Sequence, residues 1–98
     1  MMSRMTELAK ENRVALKTTP EELEGRERWG KIIRYGNRIL VAGHRYQRDG
    51  LNWIGMVYEF LDDDATDAED FIGIREVSVA RFEDAGHAIE WAIKNAYN

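Results

Sequence analysis

Between Lys31 and Phe60 hydrophobic positions alternate with polar ones, and the alternation is interrupted at Gly36-Asn37 and at Asp49-Gly50. A period of two marks strands, and Gly, Asn and Asp tolerate the positive φ of tight hairpin loops. The pattern predicts three antiparallel strands: Lys31 to Tyr35, Arg38 to Arg48 and Leu51 to Phe60. With two-residue loops at both turns, Ile33 falls opposite Leu40 and Ile32 opposite Val41. On the second hairpin Tyr46 falls opposite Trp53, Ala42 opposite Val57, Val41 opposite Tyr58 and Ile39 opposite Phe60. Alternate side chains share a surface. One surface collects Ile32, Ile39, Val41, Ile54, Met56, Tyr58 and Phe60, with Arg34 and Arg45 at its margins, and reads as the core face. The other mixes Ile33, Leu40, Ala42, His44 and Val57 with Lys31, Tyr35, Arg38, Tyr46, Arg48 and Trp53; it is either a second core beneath the N-terminal helices or a binding surface.

Helical periodicity flanks this meander. Met5, Leu8, Ala9, Asn12 and Leu16 recur at helical spacing, a thin apolar stripe that must lean on the sheet or on a partner, because short helices are marginal alone. The alternative for residues 1–18 is a flexible arm. Thr19-Pro20-Glu21-Glu22 fits an N-cap, a proline at the first helical position and a carboxylate reaching back to the cap, so a second short helix starts there and ends near Arg28 or Trp29. Leu61 to Glu69 has no apolar period and reads as an exposed acidic loop. Phe71 to Val79 is rich in β-branched residues and reads as a fourth strand beside the third. Ala85, Ala88, Ile89, Ala92, Ile93 and Ala96 then form a continuous helical stripe behind Glu83 and Asp84, whose carboxylates favour a helix N-terminus, with Ile89 and Ile93 as the main contacts. The expected fold is a single α+β domain over residues 1–98: an N-terminal helical region (1–28), a four-stranded antiparallel β-meander (29–80) and a C-terminal helix (83–97) packed on one face of the sheet.

Composition narrows the classes of function. With 98 residues, 44% hydrophobic and 33% charged, the chain suits one modest core. No apolar run approaches the roughly 20 residues of a membrane helix, and no secretory h-region follows the start, so a cytoplasmic location is expected. Cysteine is absent, which excludes disulfides, thiolate metal sites and a cysteine nucleophile. The net charge of −4 conceals a division. Residues 1–50 hold 11 Lys/Arg against 7 Asp/Glu, a balance of +4; residues 51–98 hold 3 against 11, a balance of −8. Arg26, Arg28, Lys31, Arg34, Arg38, Arg45 and Arg48 crowd one span, and Asp62, Asp63, Asp64, Asp67, Glu69 and Asp70 another. Such clusters are either solvated surface or contact surfaces for a partner.

Candidate chemistry adds little to this. His44 and His87 pair with no carboxylate at a metal-ligand spacing, and the aspartate-rich loop lacks the central Gly and terminal Glu of a calcium loop. Ser78 has no histidine partner by motif and the glycines form no phosphate cradle. No catalytic residue, metal or cofactor is expected, and the protein does not read as an enzyme. Two surfaces remain. The acidic loop, with Asp62, Asp63, Asp64, Asp67, Glu69 and Asp70, can imitate a phosphate backbone and engage a protein. The basic and aromatic sheet face, with Lys31, Tyr35, Arg38, Tyr46, Arg48 and Trp53, can stack unpaired bases while its cations follow phosphates.

The stretch Phe82-Glu83-Asp84-Ala85, followed after three residues by Ile89-Glu90-Trp91-Ala92 and placed behind a meander in a small, acidic, cysteine-free chain, resembles the style of small phage-borne accessory proteins, anti-CRISPR inhibitors among them. The resemblance covers the C-terminal third and carries over no functional residues. It implies a noncatalytic binding protein that engages a macromolecular partner, such as an inhibitor or regulator of a host protein complex. The element order also resembles double-stranded RNA-binding domains, but Glu83-Asp84 stands where that family places a basic phosphate-binding cluster. The leading expectation is thus a protein partner met through charged surfaces. The alternative is a nucleic-acid-binding module, and the third reading is a small enzyme or enzyme subunit.

Overall fold

The computed structural model describes residues 3–62 and 67–97. The elements run α1 (Arg4–Asn12), α2 (Pro20–Arg26), β1 (Lys31–Tyr35), β2 (Arg38–His44), β3 (Trp53–Phe60), β4 (Ile72–Val77) and α3 (Ala85–Asn95). The strands form one antiparallel sheet in the order β1-β2-β3-β4, so three helices and a four-stranded meander make an α+β fold. Both strands at its centre are covered twice. Ile39, Val41, Met56, Tyr58, Ile72 and Ile74 pack with Ala9 of α1 and Leu23 of α2 on one face. Leu40, Ala42 and Val57 pack with Ala88, Ile89, Ala92 and Ala96 of α3 on the other. The mixed face is therefore a second core, and its cover is the C-terminal helix rather than the N-terminal pair.

Local chemistry explains the helix ends. Ser3 caps α1 by accepting from the Thr6 amide at 3.2 Å. At its other end Arg13 turns left-handed (φ 56°), and its amide closes on the Lys10 carbonyl at 3.4 Å. The helix is therefore shorter than its apolar period, and Leu16 lies outside it and exposed. Thr19 accepts from the Glu22 amide at 3.1 Å with Pro20 at the first helical turn. The Glu22 carboxylate, however, accepts from the Thr18 hydroxyl at 3.0 Å instead of reaching back to the cap. That choice follows from Thr18 being held in place: its amide and carbonyl bond Ile72 at 3.0 and 2.7 Å, which also occupies the outer edge of β4. The last helix takes Asp84 as its cap, and the His87 backbone N–H it binds at 2.8 Å holds the Asp84 carboxyl below the usual carboxylate range.

Register separates the two hairpins. At the first, Ile32 faces Val41 and Ile33 faces Leu40, with Gly36 at φ +62°. At the second, Ile39 faces Tyr58, Leu40 faces Val57, Val41 faces Met56 and His44 faces Trp53. This is two residues away from the register of a tight Asp49-Gly50 loop. The turn is instead Gln47 to Gly50, closed by the Gly50 amide on the Gln47 carbonyl at 3.2 Å, with Gly50 alone at positive φ (+80°). β2 therefore stops at His44 and residues 45–52 form a loop pinned by Arg81, which bonds Asp49 at 2.7 and 3.1 Å. A slip of two preserves which face each side chain takes, so the sorting into two faces stands. A β-bulge at Arg75 lets both Ile74 and Val77 face the α1/α2 side.

Packing of α3 depends on small residues. A Cβ on Gly55 would collide with the Trp91 ring and with the Ala88 carbonyl oxygen at 2.8 Å. The alanine stripe thus lets the helix backbone come down onto β3, and Trp91 fills the space over the glycine. Ile93, at 44% exposure, is not a main contact; Ile89 is. At the helix's far end the Tyr97 hydroxyl donates to the Tyr35 carbonyl at 3.0 Å, while Arg38 lies over the Tyr97 ring and donates to the Ala96 carbonyl at 2.9 Å. Gly55→Ala is expected to cost about 1–3 kcal/mol by overpacking, read as a lower urea midpoint at unchanged slope.

Candidate functional site

The loop after α2 and the loop after β2 meet at one end of the sheet. Gly30 lies so close to Ala42 that a Cβ there would overlap the Ala42 carbonyl oxygen, and its amide bonds the Glu27 carbonyl at 2.7 Å. Glu27 is buried (8% exposed) and its carboxylate accepts both terminal nitrogens of Arg45, at 2.7 and 3.0 Å. Gly43 makes this geometry fit, since a Cβ there would stand 2.7 Å from Met56 and 3.2 Å from the Arg45 guanidinium. Such a two-point pair is strong and directional. Donating to the Glu27 carboxylate holds the Arg45 pKa above its ordinary value against the opposing effect of burial.

Clamped in this way, the two loops present aromatics to solvent. Trp29 is 73% exposed and carries the Arg28 guanidinium 5.2 Å from its ring centroid; Tyr46 is 78% exposed. Arg26, Arg28, Lys31 and Arg48, on or next to these loops in the chain, are exposed and make no ion pair among the described residues. Large aromatics left in water beside uncompensated cations suit stacking of unpaired bases next to phosphate contacts. Glu21 and Glu24 of α2 line a shallow groove together with Arg28.

Residues expected to share the sheet face are divided among three places. Lys31, Tyr46 and Arg48 belong to the clamped end. Tyr35 and Arg38 lie at the opposite end of β1 and β2 against Tyr97, their rings and guanidinium engaged by it. Trp53 is half-buried under α3, edge-on to His44 at 4.9 Å. An open stacking platform across the sheet does not exist, because α3 occupies it. Trp29 was missed as a site residue; the signal was its place between Arg28 and Gly30-Lys31 in a basic run just before a strand. In the acidic segment, Asp62, Asp67 and Glu69 are exposed and Asp70 is half-buried, its carboxylate accepting from the Asp67 amide at 2.9 Å. Asp63 and Asp64 lie outside the described residues. Among those residues no three His, Asp or Glu side chains are grouped to hold a metal, and no helix is long and apolar enough to cross a membrane.

The family model described as nucleotide modification associated domain 4 matches residues 14–96. The chain belongs to this family. No curated protein and no solved structure shows significant similarity to it. The match takes in α2, the whole sheet, α3 and both loops of the clamp, and it leaves α1 outside. Outside the matched stretch, α1 lies against β4, with Met5 over Gly73 and Arg4 on Glu76 at 3.0 Å.

Beneath the clamp the Tyr58 hydroxyl is fully buried and has no hydrogen-bond partner among the described residues. Burial pushes its pKa up to about 12, with the nearby Glu27 carboxylate adding to the rise and Arg26 and Arg45 opposing it. A group raised in the folded state supports stability below its unfolded pKa near 10 and loses that support as pH rises through about 12. Tyr58→Phe removes a desolvated, unpaired hydroxyl and is expected to stabilise the fold by about 1 kcal/mol at neutral pH. It should also flatten the fall in thermal midpoint between pH 10 and 12.

Proposed function

We propose that this nucleotide modification associated domain is a noncatalytic nucleic-acid-binding accessory, which holds single-stranded or unstacked nucleic acid at the clamped end of its sheet. One observation carries this reading: Trp29 and Tyr46, two large rings in water, stand on loops joined by the Glu27–Arg45 pair, with Arg26, Arg28, Lys31 and Arg48 exposed on or next to those loops in the chain. Loops tied together by the Glu27–Arg45 pair lose less backbone freedom on binding, and stacking on exposed rings is tolerant of sequence. The family description, which associates the domain with nucleotide modification, agrees with a role beside a modifying enzyme. The net charge of −4 opposes loose association with phosphate at large, so the contact is local.

The exposed carboxylates Asp62, Asp67 and Glu69 favour a second reading, in which a protein is engaged through the acidic segment. A phage-type inhibitor or regulator of a host protein complex is its concrete form. Changing these three to Asn, Asn and Gln should then remove a captured partner; an unaltered set of captured proteins counts against it.

Fluorescence anisotropy with short single strands and duplexes tests the first reading. Single strands should bind more tightly, and the affinity should fall with salt at a log–log slope of roughly −3, about 0.7 for each of four cations. Trp29→Ala and Tyr46→Ala should each weaken binding by about 1–3 kcal/mol without moving the thermal midpoint, since both side chains are mostly in water. No binding at low salt would sink the proposal.

A further inference from the structure

The meander sends its basic loops and its acidic segment to opposite ends of the sheet. Lys31 opens β1 opposite Ala42, near the end of β2, and His44 closes β2 opposite Trp53, at the start of β3, so the loops that carry Arg28 with Trp29 and Tyr46 with Arg48 share that end. The acidic segment leaves from the end of β3 and returns at the start of β4: Phe60 faces Ile72, and the Leu61 amide bonds the Phe71 carbonyl at 3.1 Å. Between the two ends β3 runs for eight residues, about 27 Å at 3.4 Å each. Along the side α2 spans part of that distance, its Glu21 amide on the Ala68 carbonyl at 3.1 Å and its last residue Arg26 toward the cations. No ion pair of the described residues joins the clusters. The four cations make none, and neither do Asp62, Asp67 and Glu69.

Each cluster has apolar surface beside it. Trp29 and Tyr46 are exposed at the basic end, and Leu61 and Phe71 at the acidic end. Leu61 and Phe71 continue the β3–β4 register as directly opposed residues, so they stand side by side at the root of the acidic segment, with the Lys17 ammonium 4.5 Å from the Phe71 ring centroid. Exposed apolar groups next to uncompensated charge are the make-up of a contact surface. The two surfaces complement one another, rings with cations on one and apolar groups with carboxylates on the other, but they sit at the two ends of one sheet and cannot close on each other. A second copy of the chain supplies the complement to each. We propose that the protein associates head to tail, with Asp62, Asp67 and Glu69 beside Leu61 and Phe71 of one copy docking on the Trp29 and Tyr46 loops of the next. The contact is heterologous, so every added copy leaves one basic and one acidic end open and the assembly continues beyond two. Its carboxylates stand where a strand would place phosphates, so a second copy and a nucleic acid compete for the same loops. The association stands apart from the nucleic-acid reading; only the competition rests on it.

Sedimentation equilibrium of the full chain tests this. At low salt the weight-average mass should climb steadily above 11.4 kDa with concentration, and it should return to that value near 1 M salt, where the Debye length is about 3 Å. One variant carries Arg28→Gln and Trp29→Ala; the other carries Asp62→Asn, Asp67→Asn and Glu69→Gln. Each should weaken association about tenfold, the scale of a few exposed charge contacts, and both should keep the parent's thermal midpoint because these side chains lie in water. Mixing the two variants is decisive. Each retains the end that the other has lost, so the mixture should form a one-to-one pair with the parent's affinity and grow no further. A parent that stays monomeric at low salt up to about 1 mM, the edge of a weak contact, overturns the proposal. So does a mass that levels off at two copies, or a mixture no more associated than its components. A bound oligothymidylate should release monomers, and one that binds while the assembly persists overturns the shared surface. Pairing in the mixture without any oligonucleotide binding supports the association and removes the nucleic-acid reading alone.

Discussion

Strands β2 and β3 lose water from both faces, and that double burial dictates most of what surrounds them. A meander with apolar side chains on each surface needs a cover on each, and the chain supplies α1 and α2 to one and α3 to the other. The α3 cover has little room. Its alanines and the bare Cα of Gly55 allow helix and sheet backbones to approach, and Trp91 closes the space that remains. Dispersion and apolar burial are collected at that contact with few large side chains, which is how 98 residues fill two cores.

Because the faces are occupied, contact chemistry is displaced to the ends of the sheet. Glu27 and Arg45 are the device that stiffens one end. Burial of a carboxylate is tolerated there because both of its oxygens are bonded by one guanidinium. The loops on either side then carry Trp29 and Tyr46 in water without needing them for the core. At the other end Tyr97 and Arg38 tie the last residues of the chain to the first hairpin, so the same kinds of side chain serve as structure there. The difference lies in their partners: Arg38 is engaged by Glu59, Tyr97 and Ala96, while among the described residues Arg28 meets only the Trp29 ring.

The stretch that matches the family model of nucleotide modification associated domain 4 contains both loops of the clamp and the two exposed rings. α1 stands outside the match and acts as local cover for β4.

Much was determined by the sequence alone. Alternation over Lys31 to Phe60 sorted side chains onto their true faces, Thr19-Pro20 and Asp84 marked helix starts, and the alanine stripe marked a packed helix, because these signals act over a few residues. The length of the second hairpin loop was not legible, since Asp49-Gly50 fits either a two-residue loop or the end of a longer turn, and the choice rests on Arg81 and Asn52 holding residues 45–52. Which helix covers which face was likewise a tertiary decision: both faces are apolar at their centres, and only the fit of small residues over Gly55 assigns α3 to the mixed one. That assignment moved the candidate interface from the sheet's middle to its end, and brought Trp29 beside a basic patch whose cations were visible in the chain from the start.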